Sequence, residues 1–136
     1  MQVEKELSEE LNVCSDCGLE KENLEQKFAK FGEYWSPKIV GDLNDSYVKV
    51  AKFKGKFVWH KHDSEDELFF IIKGNLLIKL REGEISLNAG EFVIIPKGVE
   101  HLPIAQNEVS VVLIEPKSTV NTGDVTGART VHPERI

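Results

Sequence analysis

Three histidines and one glutamate stand at spacings that could bring their side chains together. His60 and His62 are separated by one residue, Glu67 follows an acidic stretch, and His101 follows a Pro-Lys-Gly turn. Alternate residues of a β-strand share a face, so a His-x-His pair directs two imidazoles to one point. A hairpin after His62 would place Glu67 beside it. Three imidazoles and a carboxylate suit a first-row divalent ion such as Fe, Mn, Ni, Zn or Cu.

The segment that follows Tyr34 predicts a series of short β-strands. Its apolar or alternating runs include YVKVAKF, KFVWHKH, ELFFIIKG, NLLIKLRE, EISLNAG, EFVIIPKG and VSVVLIEP, and Gly-containing turns separate most of them. Short strands at regular spacing with turn signals favour an all-β sandwich or barrel. The run KFVWHKH carries His60 and His62, so these histidines are expected to point from one face of a strand.

The chain divides into three parts. Residues 1–33 are predicted to be a helical or loose N-terminal extension, because Leu24 and Phe28 recur at helical spacing. Residues 34–118 are predicted to form the β-barrel domain. Residues 119–136 form a polar, Gly-rich tail, which is either disordered or laid over the barrel or a partner subunit.

Composition and charge exclude several classes of function. The chain has 136 residues and a net charge of −6, which argues against a nucleic-acid partner. No run approaches the ~20 apolar residues of a membrane span, and no secretory signal opens the sequence. A cytoplasmic location with no membrane partner is therefore expected. Cys14 and Cys17 lack the second cysteine pair of a structural zinc site and are interpreted as incidental reduced thiols.

Glycines that bracket the candidate ligands make the pattern specific. From His60 the sequence reads H-x-H-(x)4-E-(x)6-G, and from Gly90 it reads G-(x)5-P-x-G-(x)2-H, ending at His101. These segments resemble the two sequence motifs of the cupin superfamily, and the resemblance covers about residues 45–116. The closest resemblance is to small single-domain cupins described as similar to mannose-6-phosphate isomerase.

The resemblance implies a fold, a ligand set and an assembly. The fold would be an all-β cupin jelly-roll β-barrel with a short N-terminal helical segment. The metal would lie inside the wide end of the barrel, where His60, His62, Glu67 and His101 would hold one divalent transition metal ion, Fe, Mn, Ni or Zn. A homodimer is expected, because a short jelly roll has edge strands that need cover.

Four further residues are predicted to line the pocket: Phe69, Lys49, Val111 and Leu113. Phe69 has the same strand parity as Glu67. Lys49 belongs to a group of alternating lysines whose simplest interpretation is a solvent-facing strand surface. If Lys49 instead points inward, it would favour an anionic substrate such as a sugar phosphate.

The ligand set predicts metal-dependent chemistry on a small organic molecule. A redox-active ion with open positions supports oxygenation, and a redox-silent ion can polarise a carbonyl or hydroxyl group for isomerisation. The sequence indicates no independent catalytic acid or base. The alternative is a cupin that binds a metal or small molecule without turnover, as a sensor or store, since one fold hosts both kinds of function.

Overall fold

The computed structural model describes residues 13–14 and 17–136, the side chains from residue 17 onward. Its strands and its helix follow one another in this order: β1 Val13–Cys14, β2 Leu19–Glu20, α1 Leu24–Phe28, β3 Lys38–Leu43, β4 Ser46–Lys56, β5 Glu67–Lys73, β6 Asn75–Leu80, β7 Gly83–Asn88, β8 Phe92–Ile95, β9 His101–Pro116 and β10 Glu134–Arg135.

The strands from β3 onward belong to one curled sheet. The main path runs β10-β3-β4-β9-β5-β8, and β6 attaches to β9 and carries β7. The 16-residue strand β9 joins the two parts of the sheet. Its first residues pair with β6, and its later residues pair with both β4 and β5. The all-β jelly-roll prediction is confirmed, and the sequence signal underestimated the length of β9.

Strand alternation separates an inner core from an outer face. Phe69 and Ile71 of β5 pack inward with Val111 and Leu113 of β9 in one buried cluster. Phe70 and Ile72 of β5 point outward with Val50 and Val112. Glu67 and His101 open β5 and β9, so the first residue of each strand lies at one end of this inner core.

The helix α1 covers part of the outer face. Asn23 caps it, since its side-chain oxygen accepts a hydrogen bond from the Gln26 backbone N–H at 2.9 Å. Phe28 and Phe31 pack on the outward-facing residues of the sheet. The helical periodicity predicted around Leu24 is confirmed. Residues 1–12 of the predicted N-terminal extension lie outside the described part of the chain.

Two predictions made for the N-terminal half are wrong. Cys17 is disulfide-bonded rather than reduced, whereas the side chain of Cys14 lies outside the described part of the chain. The run KFVWHKH is not a continuous strand: beyond β4 it makes an isolated antiparallel bridge between His60 and His101. The two histidines therefore lie on a loop that is pinned to the start of β9.

The C-terminal tail is laid over this loop. Asp124 donates its backbone N–H to the Lys61 carbonyl at 3.0 Å and accepts from the Lys61 N–H through Oδ1 at 2.9 Å. Thr122, two residues earlier in the tail, is fully buried. Farther along, β10 pairs in parallel with β3. In the described residues no helix is long and apolar enough to cross a membrane.

Candidate metal centre

The four predicted ligands converge at one end of the inner core. Glu67 and His101 come from the first residues of β5 and β9, while His60 and His62 come from the loop. All four side chains are buried, with exposed fractions of 3%, 3%, 4% and 0% for His60, His62, Glu67 and His101. One donor atom from each lies within 4.8 Å of the others. The structure thus brings together the residues that the two motifs single out.

Backbone carbonyls orient two of the imidazoles. His60 Nδ1 lies 2.9 Å from the Val58 carbonyl, and His101 Nδ1 lies 2.9 Å from the Val99 carbonyl. Each Nδ1 then carries the proton, which leaves Nε2 as an electron-pair donor, as is typical of histidines that bind metals. His62 makes no such bond to a backbone carbonyl, and its Nε2 lies 3.3 Å from Glu67 Oε1 instead.

Several buried polar atoms at this point have no hydrogen-bond partner. They are both ring nitrogens of His62, Nε2 of His101 and Oε1 of Glu67. Glu67 Oε1 lies 3.3 Å from His62 Nε2 and 3.5 Å from His101 Nε2. An unpaired buried polar group costs about 1–3 kcal/mol, so a cluster of them indicates a missing common partner. The nitrogen and oxygen donors fit a divalent transition metal ion.

The electrostatics of the site differ from one donor to the next. Burial, with the nearby His101 ring, lowers the pKa of His60 to about 4. Burial also disfavours protonation of His62, but the carboxylates of Glu67 and Glu65 outweigh it and raise that pKa above its ordinary value. Despite burial, contacts with Glu115 and the two histidines hold the pKa of Glu67 well below its usual range. The site therefore holds an ionised carboxylate, Glu67, beside the imidazoles of His62 and His101.

A mostly apolar cavity of about 30 Å³ adjoins two of the four donors, His60 and Glu67. Trp35 stacks on Phe53 and Phe57 to form one wall, with ring centroids 4.3 and 4.7 Å apart. The lining residues are Trp35, Pro37, Phe53, Phe57, His60, Glu67, Phe69, Pro103, Leu113, Glu115 and Asn121. Phe69 and Leu113, two of the predicted pocket residues, are among them, whereas Val111 and Lys49 lie behind the wall.

Lys49 is buried rather than solvent-facing, and its Nζ donates to Glu115 Oε1 at 2.8 Å. Glu115 lines the cavity and its Oε2 has no hydrogen-bond partner. Burial and the neighbouring Glu67 carboxylate raise the pKa of Glu115 well above its usual range. Sequence reasoning missed Glu115. Its parity with Val111 and Leu113 on β9 was the available signal.

Comparison with known proteins identifies the class. The structure is an all-β jelly roll with a buried His/Glu cluster at one end. Residues 47–116 match the Cupin domain family. The chain belongs to this family. It is similar to a cupin-2 domain containing protein from Shewanella frigidimarina, with 44% identity, a TM-score of 0.70, and coverage of 71% of this chain and 94% of that one.

Two other proteins show similarity. Protein NMB1881 from Neisseria meningitidis is 32% identical, with a TM-score of 0.67, and the match covers 72% of this chain and 100% of that one. The uncharacterized protein YdbB of Bacillus subtilis (strain 168) is 40% identical over 63 residues, which are 46% of this chain and 56% of YdbB. The match to YdbB thus spans little more than half of its length.

Proposed function

We propose that the protein is a metal-binding cupin that acts on a small organic molecule. His60, His62, Glu67 and His101 would hold one divalent ion, Fe, Mn, Ni or Zn. The observation that carries the proposal is the set of buried, unpartnered donor atoms, two of whose residues line a mostly apolar cavity. When bound, such an ion would supply either a redox centre for oxygenation or a Lewis acid for isomerisation.

The cavity wall sets what the organic molecule can be. Stacked aromatic rings and Leu113 favour a small, largely apolar molecule, and Glu115 Oε2 offers one polar contact. The cation that could have held a phosphate, Lys49, is already paired with Glu115. Arg81, a second cation that could serve an anionic substrate if it pointed inward, is exposed, paired with Glu100 and placed over the Trp59 ring. The mannose-6-phosphate isomerase-like assignment stays a prediction that these pairings do not favour.

Binding without turnover is the second candidate function. It is favoured by the small number of polar groups around the cavity. Asn121 has its side chain engaged, because Nδ2 donates to the Arg129 carbonyl and Oδ1 accepts from the Val131 N–H. Among the lining residues outside the four predicted ligands, Glu115 is therefore the one that could act as an acid or a base. A protein that only senses or stores a metal or small molecule needs no further polar group in the cavity.

Metal content tests the proposal. Untagged protein, purified anaerobically, should carry about one transition metal ion per chain. A H60A/H101A variant should fall to background, and H132A, which alters an exposed histidine of the tail, should match the wild type. Iron or manganese would direct assays to oxygen consumption, and zinc or nickel to isomerisation. Wild-type protein without metal would overturn the proposal.

We also propose a cytoplasmic homodimer. Strand β8 lies at the end of the sheet path, and its Phe92 and Ile94 are 61% and 52% exposed. Such an edge is commonly covered by a second copy. Light scattering at micromolar concentration should give the dimer mass for wild type and for L43E, which changes an exposed residue of β3, and the monomer mass for F92E. A monomeric wild type would refute the dimer.

A further inference from the structure

A second, polar opening reaches one of the four donor residues, His62, from the outside of the barrel. It is lined by His62, by Asp63 and Glu65 of the loop, and by Ser118 and Asp124 of the tail, among others. It has no lining residue in common with the apolar cavity. We call Asp63, Glu65 and Asp124, grouped around His62, the acidic mouth. The ligand cluster therefore has two approaches of opposite chemical character.

His62 is the buried polar group at the bottom of the acidic mouth. It is 3% exposed, and neither of its ring nitrogens has a hydrogen-bond partner. Its Nε2 lies 3.3 Å from Glu67 Oε1. His60 and His101 differ, since a backbone carbonyl fixes each of their rings. His62 is thus the one donor residue that both lines the opening and lies against Glu67, so it can meet an arriving cation first and pass it to the other donors.

The charges of the acidic mouth favour a cation. Three carboxylates face one ammonium group, that of Lys61, whose Nζ lies 3.4 Å from Asp63 Oδ1. Glu65 accepts from the Ser118 hydroxyl at 3.0 Å and Asp124 from the Lys61 N–H at 2.9 Å, and neither contact neutralises a charge. Clefts of one sign concentrate ions of the other sign and raise association rates. The other cavity is lined mostly by aromatic and apolar side chains, and its two carboxyl groups, Glu67 and Glu115, are buried at its wall.

We propose that the acidic mouth is the route by which the divalent cation enters the site, with His62 as its first ligand, while the organic molecule uses the apolar cavity. The inference rests on the metal centre proposed above. The proposal gives two roles to the residues around the opening. His62 and Glu67 hold the ion, and Asp63 and Glu65 act on the rate at which it arrives.

Loading kinetics of the metal-free protein test this route. Protein stripped with a chelator is mixed with Co²⁺ in a stopped-flow instrument at low ionic strength, and the cobalt absorption reports binding. The D63N/E65Q variant removes two charges from the mouth with little change in shape. The matched control, E82Q/E84Q, removes two exposed charges at the β6–β7 turn. Circular dichroism confirms that each variant is folded.

The association rate constant of D63N/E65Q should fall by about tenfold, and its dependence on salt should flatten, because steering charge is lost. The control should stay within about twofold, and the rate of cobalt release to a chelator should be alike in all three proteins. Wild-type loading rates in D63N/E65Q, or equal slowing in the control, would overturn the route and leave the metal centre standing. Failure of the wild type to bind Co²⁺ would instead refute the metal centre itself.

Discussion

The two halves of the ligand set are held in different ways. Glu67 and His101 begin β5 and β9, so the ladders of the sheet fix their backbones. His60 and His62 lie on a loop that is fixed by the bridge to His101 and by the tail at Asp124. We call these the strand-held half and the loop-held half. The first is part of the folding core, whereas the second depends on a few long-range contacts.

This difference separates stability from metal affinity. Changes behind the strand-held half should lower the free energy of unfolding, because the same residues form the core. Changes where the tail meets the loop should weaken metal binding while the barrel stays folded, since residues 59–66 contribute no side chain to the buried apolar cluster. The predictions below probe that separation, beginning with the largest effect.

The largest effect is expected from Lys49→Met, which removes the cation behind the strand-held half. Lys49 Nζ and Glu115 Oε1 form a buried pair at 2.8 Å, and Glu115 in turn contacts Glu67. Loss of Lys49 leaves the Glu115 carboxyl buried without its partner, and breaking a buried pair of this kind costs about 3 kcal/mol. Urea denaturation of the metal-free protein should show this decrease in the free energy of unfolding.

The double variant K49M/E115L controls for that interpretation. It replaces the pair with apolar side chains, so most of the stability should return. If the double variant is as unstable as K49M alone, the loss comes from packing of the lysine stem rather than from the unpaired carboxylate. If K49M has wild-type stability, the strand-held half is not tied to the folding core through this pair.

The next effect is expected from Gly123→Ala, which acts on the loop-held half. A Cβ at this position would collide with the carbonyl oxygen of Lys61 and come within 3.2 Å of the His60 ring. The backbone there is left-handed, with φ of 57°, which adds strain for alanine. Metal affinity should fall by about 10- to 100-fold, because groups that orient a metal ligand commonly contribute that much. Competition with a chromogenic chelator measures it.

Gly127 provides the matched control for the tail. A Cβ added there meets no atom within 4 Å, so G127A should bind metal like the wild type. G123A should also unfold at nearly the wild-type urea concentration. An equal loss of affinity in the two variants, or a large loss of stability in G123A, would show that the tail and the barrel are not separable.

The strand-held half was more predictable than the loop-held half. Motif spacing singled out the four residues that the structure brings together, and alternation placed Phe69 on the inner face. The loop was mistaken for a strand because its composition is strand-like, yet its hydrogen bonds go to His101, Gly98 and Asp124 instead of a ladder. Such contacts join residues far apart in sequence, and no local pattern encodes them.

Lys49 shows a second limit of local patterns. Alternation groups it with Ala51 and Phe53, but the density of lysines around it favoured the solvent face. The buried partner that decides the matter, Glu115, is 66 residues away. Polarity of one residue therefore predicted the wrong face, whereas the apolar neighbours at the same parity indicated the right one.

The smallest effect is expected from Asp124, whose carboxylate accepts a hydrogen bond from the Lys61 N–H at 2.9 Å. Asp124→Ala removes this bond and leaves the backbone bond to the Lys61 carbonyl, so the loop loses about 1 kcal/mol of support and metal affinity falls by about fivefold. Asp124→Asn can still accept the bond and should stay near the wild-type dissociation constant. If the asparagine variant loses as much affinity as the alanine variant, the charge of Asp124 matters more than its hydrogen bond. The tail would then act on the loop-held half through the field at His62, and the two halves would differ in electrostatics rather than in how their backbones are held.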